Sequence, residues 1–173
     1  DCMYVSRSTV VQDLDGLKAF FKKHKLYVAS HSNKGLILEG EEKNKRLLLL
    51  SMIKSNESVY REAPVFERLI RSLKEECRVD MEDLKTMEKV INLAEHFSGR
   101  FLTDTSFTNL KYFLVLSLYR MRLKKYAEQD SKKNSKYEMA GYILKQLSDF
   151  AGIEVMEEEI KFLGRILNEM RYI

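Results

Sequence analysis

Apolar positions along the chain fall into two patterns, and one gives way to the other near residue 41. Val10, Leu14, Leu17 and Phe21 follow at spacings of four, three and four, which lines them along one face of a helix. Ser6 stands where an N-cap is wanted, because its hydroxyl can accept a free first-turn N–H. Residues 6–23 are therefore predicted helical. Two β-type runs follow, 26–31 and 35–40, separated by Ser32-Asn33-Lys34-Gly35. That tetrapeptide reads as a turn, with Gly35 free to adopt a positive φ, and the two runs predict an antiparallel hairpin.

From Glu41 onward the strand signals stop and helical periodicity takes over, with at least five helices expected and no sheet beyond residue 60. Residues 42–54 hold Leu47, Leu48, Leu49, Leu50, Met52 and Ile53, a run too short for a membrane span that reads as a buried helix. Pro64 is tolerated in a first helical turn, and Val65, Leu69, Ile70 and Leu73 continue a stripe beyond it. Asp80 is placed to cap a helix carrying Leu84, Met87, Val90, Ile91 and Ala94, which Gly99 stops. Three further helices are predicted over 106–124, 136–151 and 155–171, with the polar stretch 129–135 as the clearest loop. The expected fold class is mainly α: a helix plus β-hairpin forming part of a winged helix, then an all-α helical bundle. The expected division is a partial winged helix over 1–41, a linker helix over 42–60 and a helical regulatory domain over 61–173.

Charge sharpens this division. The net charge is +4. Residues 1–54 hold ten Lys/Arg against six Asp/Glu, and the remainder hold twenty of each, so the whole excess lies in the first third. A local basic excess suits contact with a polyanion. Cys2 and Cys77 stand far apart and form neither a CxxC pair nor a disulfide framework, which fits a reducing cytosol. No apolar run reaches 18 residues and no signal-peptide pattern opens the chain, so a cytoplasmic location without membrane contact is expected.

Catalytic chemistry is hard to find. His24, His31 and His96 are the only histidines, and none lies three or four residues from another. The seven glycines form no GxGxxG or GxxxxGK[ST] loop, and no GxSxG elbow occurs. Glu157, Glu158 and Glu159 read as carboxylates favoured by a helix N-terminus. Arg120, Arg122, Lys124 and Lys125 read as the solvated last turns of a helix. No enzyme activity, cofactor or metal is expected.

Nucleic-acid contact fits the front of the chain better. A recognition helix presents short polar and basic side chains from its N-terminal turns. Here Arg7, Ser8, Thr9 and Gln12 lie off the apolar stripe. Arg7 suits guanine or phosphate and Gln12 an adenine edge. His31, Asn33 and Lys34 would form the tip of the wing, beside the DNA backbone. Asp13 and Asp15 weigh against tight binding, and a purely structural helix and hairpin stays open at this point.

The chain resembles a known family in several segments. Val5-Ser6-Arg7-Ser8-Thr9-Val10, Asp13-Leu14, Leu26-Tyr27-Val28, Gly35-Leu36-Ile37-Leu38-Glu39-Gly40-Glu41 and Arg46 look like the second helix-turn-helix of BglG/MtlR/Mga-like bacterial regulators. Those regulators bear phosphotransferase-system regulation domains. Leu110, Leu114 and Leu118-Tyr119-Arg120 are similar to the helix L-x-x-H-L-x-x-x-I-x-R of such a domain, and Glu159-Ile160-Lys161-Phe162-Leu163 to E-I-x-Y-L-x-x-H. The resemblance implies a transcriptional regulator of sugar uptake that binds duplex DNA, forms a homodimer through its helical domain and answers to phosphotransferase-system proteins. It also implies that the first helices of the winged helix lie upstream of Asp1, so that the chain is a fragment. The departures are Phe113 and Ile166, which occupy the positions of the family's phosphorylated histidines; a shift of two residues at the first gives Val115. No phosphorylation site is therefore expected. The rival reading is a protein-interaction or dimerisation module with no nucleic-acid contact of its own. RNA antitermination would need an N-terminal RNA-binding domain that these residues do not supply.

Overall fold

The computed structural model describes residues 7–59, 81–129 and 137–173, with side chains described except at 7–10, 53–59 and 81. The order is α1 (Arg7–Lys23), β1 (Tyr27–His31), β2 (Gly35–Glu39), α2 (Glu42–Val59), α3 (Met81–Ser98), α4 (Asp104–Arg122), α5 (Glu138–Ala151) and α6 (Glu157–Asn168). The chain is thus mainly helical, with one hairpin after the first helix and a helical bundle beyond it. The expected cap at Ser6, the Pro64 turn, the stripe 65–73 and the Asp80 cap lie outside the described residues.

β1 and β2 pair antiparallel, from Tyr27 opposite Glu39 to His31 opposite Gly35. Gly35 takes φ 74° and Asn33 φ 68°, so the turn uses the left-handed region at two positions, one of them the glycine the sequence singles out. Gly40, at φ 131°, closes the unit. A Cβ there would meet Leu26 and lie 3.0 Å from the Lys25 carbonyl oxygen. The close approach is what lets the chain leave β2 beside the buried Leu26, and it places α2 directly after the hairpin.

The stripe on α1 is only partly covered. Leu14 and Phe21 are half-buried and Leu17 is 48% exposed, because α1 packs chiefly on β1. α2, expected as a buried helix, is buried along one face only. Leu48 and Leu50 are buried and Leu49 is half-buried, while Leu47 and Met52 are exposed. One face of α2 packs on α4, as the 3.6-residue period allows.

The bundle core joins α3, α4, α5 and α6. Met87, Val90, Ile91 and Ala94 of α3 meet Leu110, Leu114 and Leu118 of α4, Ile143, Leu144 and Leu147 of α5, and Phe162, Leu163 and Leu167 of α6. α4 starts two residues earlier than predicted because the Thr103 hydroxyl accepts from the Ser106 N–H. α6 ends at Asn168, three residues earlier than predicted, and the chain then turns back to the start of α4. There the Thr103 N–H donates to the Arg171 carbonyl at 3.1 Å and Leu102 forms a single antiparallel bridge with Tyr172. Beyond residue 60 that bridge is the only β pairing among the described residues.

Ser117 sits within this core on α4, 1% exposed, and its hydroxyl has no hydrogen-bond partner. A buried unsatisfied hydroxyl is a standing cost. Ser117→Ala keeps nearly the same volume and improves helix propensity, so it should raise stability by about 1 kcal/mol. A urea midpoint at or below that of the parent would show that the hydroxyl is satisfied in solution.

Candidate nucleic-acid interface and the joint behind it

Of the residues proposed to meet DNA, Gln12 is exposed on α1 and Lys34 is exposed in the hairpin turn. Arg7, Ser8 and Thr9 belong to the first turn of α1, and their side chains lie outside the described ones. Lys22, Lys23 and Lys25 are exposed at the other end of α1. Asp15 is partly neutralised by Lys18 at 3.3 Å, whereas Asp13 is exposed on the same helix. His31 does not stand free at the tip. Its Nε2 lies 2.8 Å from Glu39 Oε1, a cross-strand pair that braces the hairpin behind Asn33 and Lys34.

The helix–hairpin unit also exposes apolar side chains: Val11, Leu17, Phe20, Tyr27 and Leu36 are all at least 40% exposed. The unit packs within itself, α1 on β1 and β1 on β2.

Behind it lies the most heavily engaged polar cluster of the described structure. Arg46, in the second turn of α2, is fully buried. Its Nη1 and Nη2 donate to Glu159 Oε2 and Oε1 at 2.7 and 2.9 Å, a bidentate pair. Its Nε donates to Glu42 Oε1 at 3.1 Å, and Nη2 also reaches the Lys125 carbonyl at 2.8 Å. Glu42, 5% exposed, is gripped from the other side by Arg120, with Nε and Nη2 at 2.6 and 2.7 Å. That hydrogen bonding to Glu42 raises the Arg120 pKa further above its usual value, against the opposing effect of burial, so the guanidinium stays charged.

Backbone groups complete the cluster. The Ala127 N–H donates to Glu159 Oε1 at 2.7 Å. The Glu128 carboxylate accepts the Glu42 N–H and, at 3.4 Å, the Lys43 N–H, capping α2 from a loop 86 residues away in sequence. Three carboxylates thus face two guanidinium groups. The surplus negative charge lies at two helix N-termini, those of α2 and α6, where partial positive charge favours it.

These contacts correct one sequence reading and extend another. Arg120 and Arg122 are not solvated cations: Arg120 belongs to the cluster, and Arg122 makes a bidentate pair with the buried Asp83 at 2.9 and 3.1 Å. Lys124 and Lys125 are exposed as read, but they lie in the loop after α4 rather than in its last turn. Of the three glutamates opening α6, Glu157 is exposed and pairs with Lys161, while Glu159 is 2% exposed and ligates Arg46. Arg46 and Glu159 are legible only as isolated motif letters, since nothing in a sequence pairs residues 113 positions apart.

The two positions that resemble histidine sites differ in setting. Phe113 is 1% exposed and meets Phe162 edge-on at 5.3 Å between centroids. Ile166 is 8% exposed and borders a groove of about 520 Å³ that Leu47 and Leu50 of α2 also line. His96 is exposed in the last turn of α3, against Phe101. Among the described residues no group of three His, Cys, Asp or Glu side chains is placed to hold a metal ion, and no helix is long and apolar enough to cross a membrane. No protein-family model and no curated protein matches the chain.

Proposed function

We propose that the chain is part of a cytoplasmic, non-catalytic, DNA-binding transcriptional regulator in which the α1–hairpin unit is the DNA-contacting end and the helical bundle is a regulatory and dimerising domain. The observation that carries this reading is the pairing of an N-terminal helix bearing exposed Gln12 with a hairpin whose tip presents Lys34, in the one part of the chain with excess positive charge. The resemblance to regulators bearing phosphotransferase-system regulation domains supports the same reading and suggests sugar-uptake genes as targets. In full-length protein, Arg7→Ala should weaken operator binding by about 1–3 kcal/mol if Arg7 reads a base. Lys34→Ala should weaken binding to all sequences alike and lower the salt slope by about 1, as loss of one phosphate contact does. Absence of any duplex binding at low salt would sink the reading.

The exposed Leu17, Phe20, Tyr27 and Leu36 favour a second reading, in which the helix–hairpin unit docks a protein. Retention of such a partner with no duplex binding would decide for it.

Control of the bundle by histidine phosphorylation is not part of the proposal. Neither Phe113 nor Ile166 can accept a phosphoryl group. Incubation with labelled phosphoenolpyruvate, the general relay proteins and a sugar-specific component should leave the chain unlabelled. Acid-labile label lost on His96→Ala would instead make His96 the control point.

A further inference from the structure

The helix–hairpin unit and the bundle are joined through Gly40 and Glu41, directly before α2. The first turns of α2 are therefore the anchor from which the hairpin departs. Those turns are held by side chains from three other places: Arg120 at the end of α4, Glu128 in the loop 123–129, and Glu159 at the start of α6. The loop touches the cluster three times, through the Lys125 carbonyl, the Ala127 N–H and the Glu128 carboxylate.

We propose that Arg46 is a positioning residue: with Glu42, Arg120, Glu128 and Glu159 it sets the angle at which the helix–hairpin unit leaves the bundle, and the loop 123–129 helps to hold that angle through its three contacts with the cluster. An ion cluster suits this task better than an apolar contact, because bidentate guanidinium–carboxylate pairs fix orientation as well as distance. Apolar side chains of equal volume can hold helices together without supplying that directional constraint. The regulatory meaning of the angle rests on the DNA-binding reading; the angle itself does not, and it is measurable without DNA.

The test places spin labels at Ser32→Cys in the hairpin turn and Lys145→Cys on α5, both exposed, in a background with Cys2 and Cys77 replaced by alanine. Pulsed dipolar spectroscopy reads the distance distribution between them. Three variants loosen the joint: Glu128→Ala and Arg120→Ala, which alter partly exposed side chains, and the double change Arg46→Met with Glu159→Leu, which leaves neither of that pair unpaired. Leu147→Ala serves as a control, since it removes a fully buried side chain from the core without touching the joint. The expected result is one narrow distribution in the parent and in Leu147→Ala, and at least a twofold broader one in the three joint variants at unchanged helix content. Equal widths in the parent and in all folded joint variants would overturn the proposal. So would equal broadening in Leu147→Ala, which would make the width a mere reporter of stability.

Discussion

Arg46→Ala is expected to lower the unfolding free energy of the chain by about 3–5 kcal/mol, the usual result of removing one partner from a buried ion pair. The cost does not come from the lost attraction alone. Glu159, 2% exposed, would keep only the Ala127 N–H as a donor, and the Lys125 carbonyl would lose the guanidinium it faces. A buried carboxylate stripped of its counter-charge bears its desolvation penalty uncompensated. A domain of this size has a total stability of about 5–15 kcal/mol, so the loss is a large share of it. Urea denaturation followed by helical circular dichroism measures the effect directly. The paired replacement of Arg46 by Met and Glu159 by Leu removes both charges together and should recover part of the loss, while the Lys125 carbonyl and the Ala127 N–H still lack the partners they have in the parent. A single Arg46→Ala variant within about 1 kcal/mol of the parent would mean that water reaches the cluster.

How much of this was legible beforehand differs from element to element. Helices and hairpin follow from periodicity, because the 3.6- and 2-residue repeats are local properties of the chain. Gly35 was readable for the same reason, since a turn between two β-type runs asks for positive φ within four residues. The joint was not. Arg120 has the composition of a solvated helix end, and only the long-range approach of Glu42 turns it into a half-buried partner. Glu159 has a local explanation at a helix N-terminus that is correct but incomplete: the dipole favours it there, and Arg46 occupies it. α1 fails the other way. Its stripe is clear in sequence, yet Leu17 remains 48% exposed, because periodicity says which face is apolar and not whether anything lies against it.

Phe113→Ala should be about as damaging as loss of Arg46, at about 3–5 kcal/mol, through the cavity left by a buried phenyl ring. The more informative change is Phe113→His, which places at this position the histidine that the sequence resemblance would imply. Phe113 is 1% exposed and its edge-on partner is Phe162, so an imidazole there finds an aromatic and aliphatic wall. Its ring nitrogens would be buried without designed partners, and charging the ring would cost still more. The variant should therefore lose stability at neutral pH and lose more as the pH falls toward the usual histidine range, where the unfolded chain takes up a proton that the folded core resists. Ile166→His tests the contrast. Ile166 borders the groove beside α2, where an imidazole can turn one nitrogen toward water, so the same substitution should cost less there. If Phe113→His matched the parent in denaturant midpoint at both neutral and acidic pH, the core around α4 would be open enough to admit a titrating side chain. A phosphorylatable histidine would then be structurally tolerable at that position, and packing would no longer account for the phenylalanine.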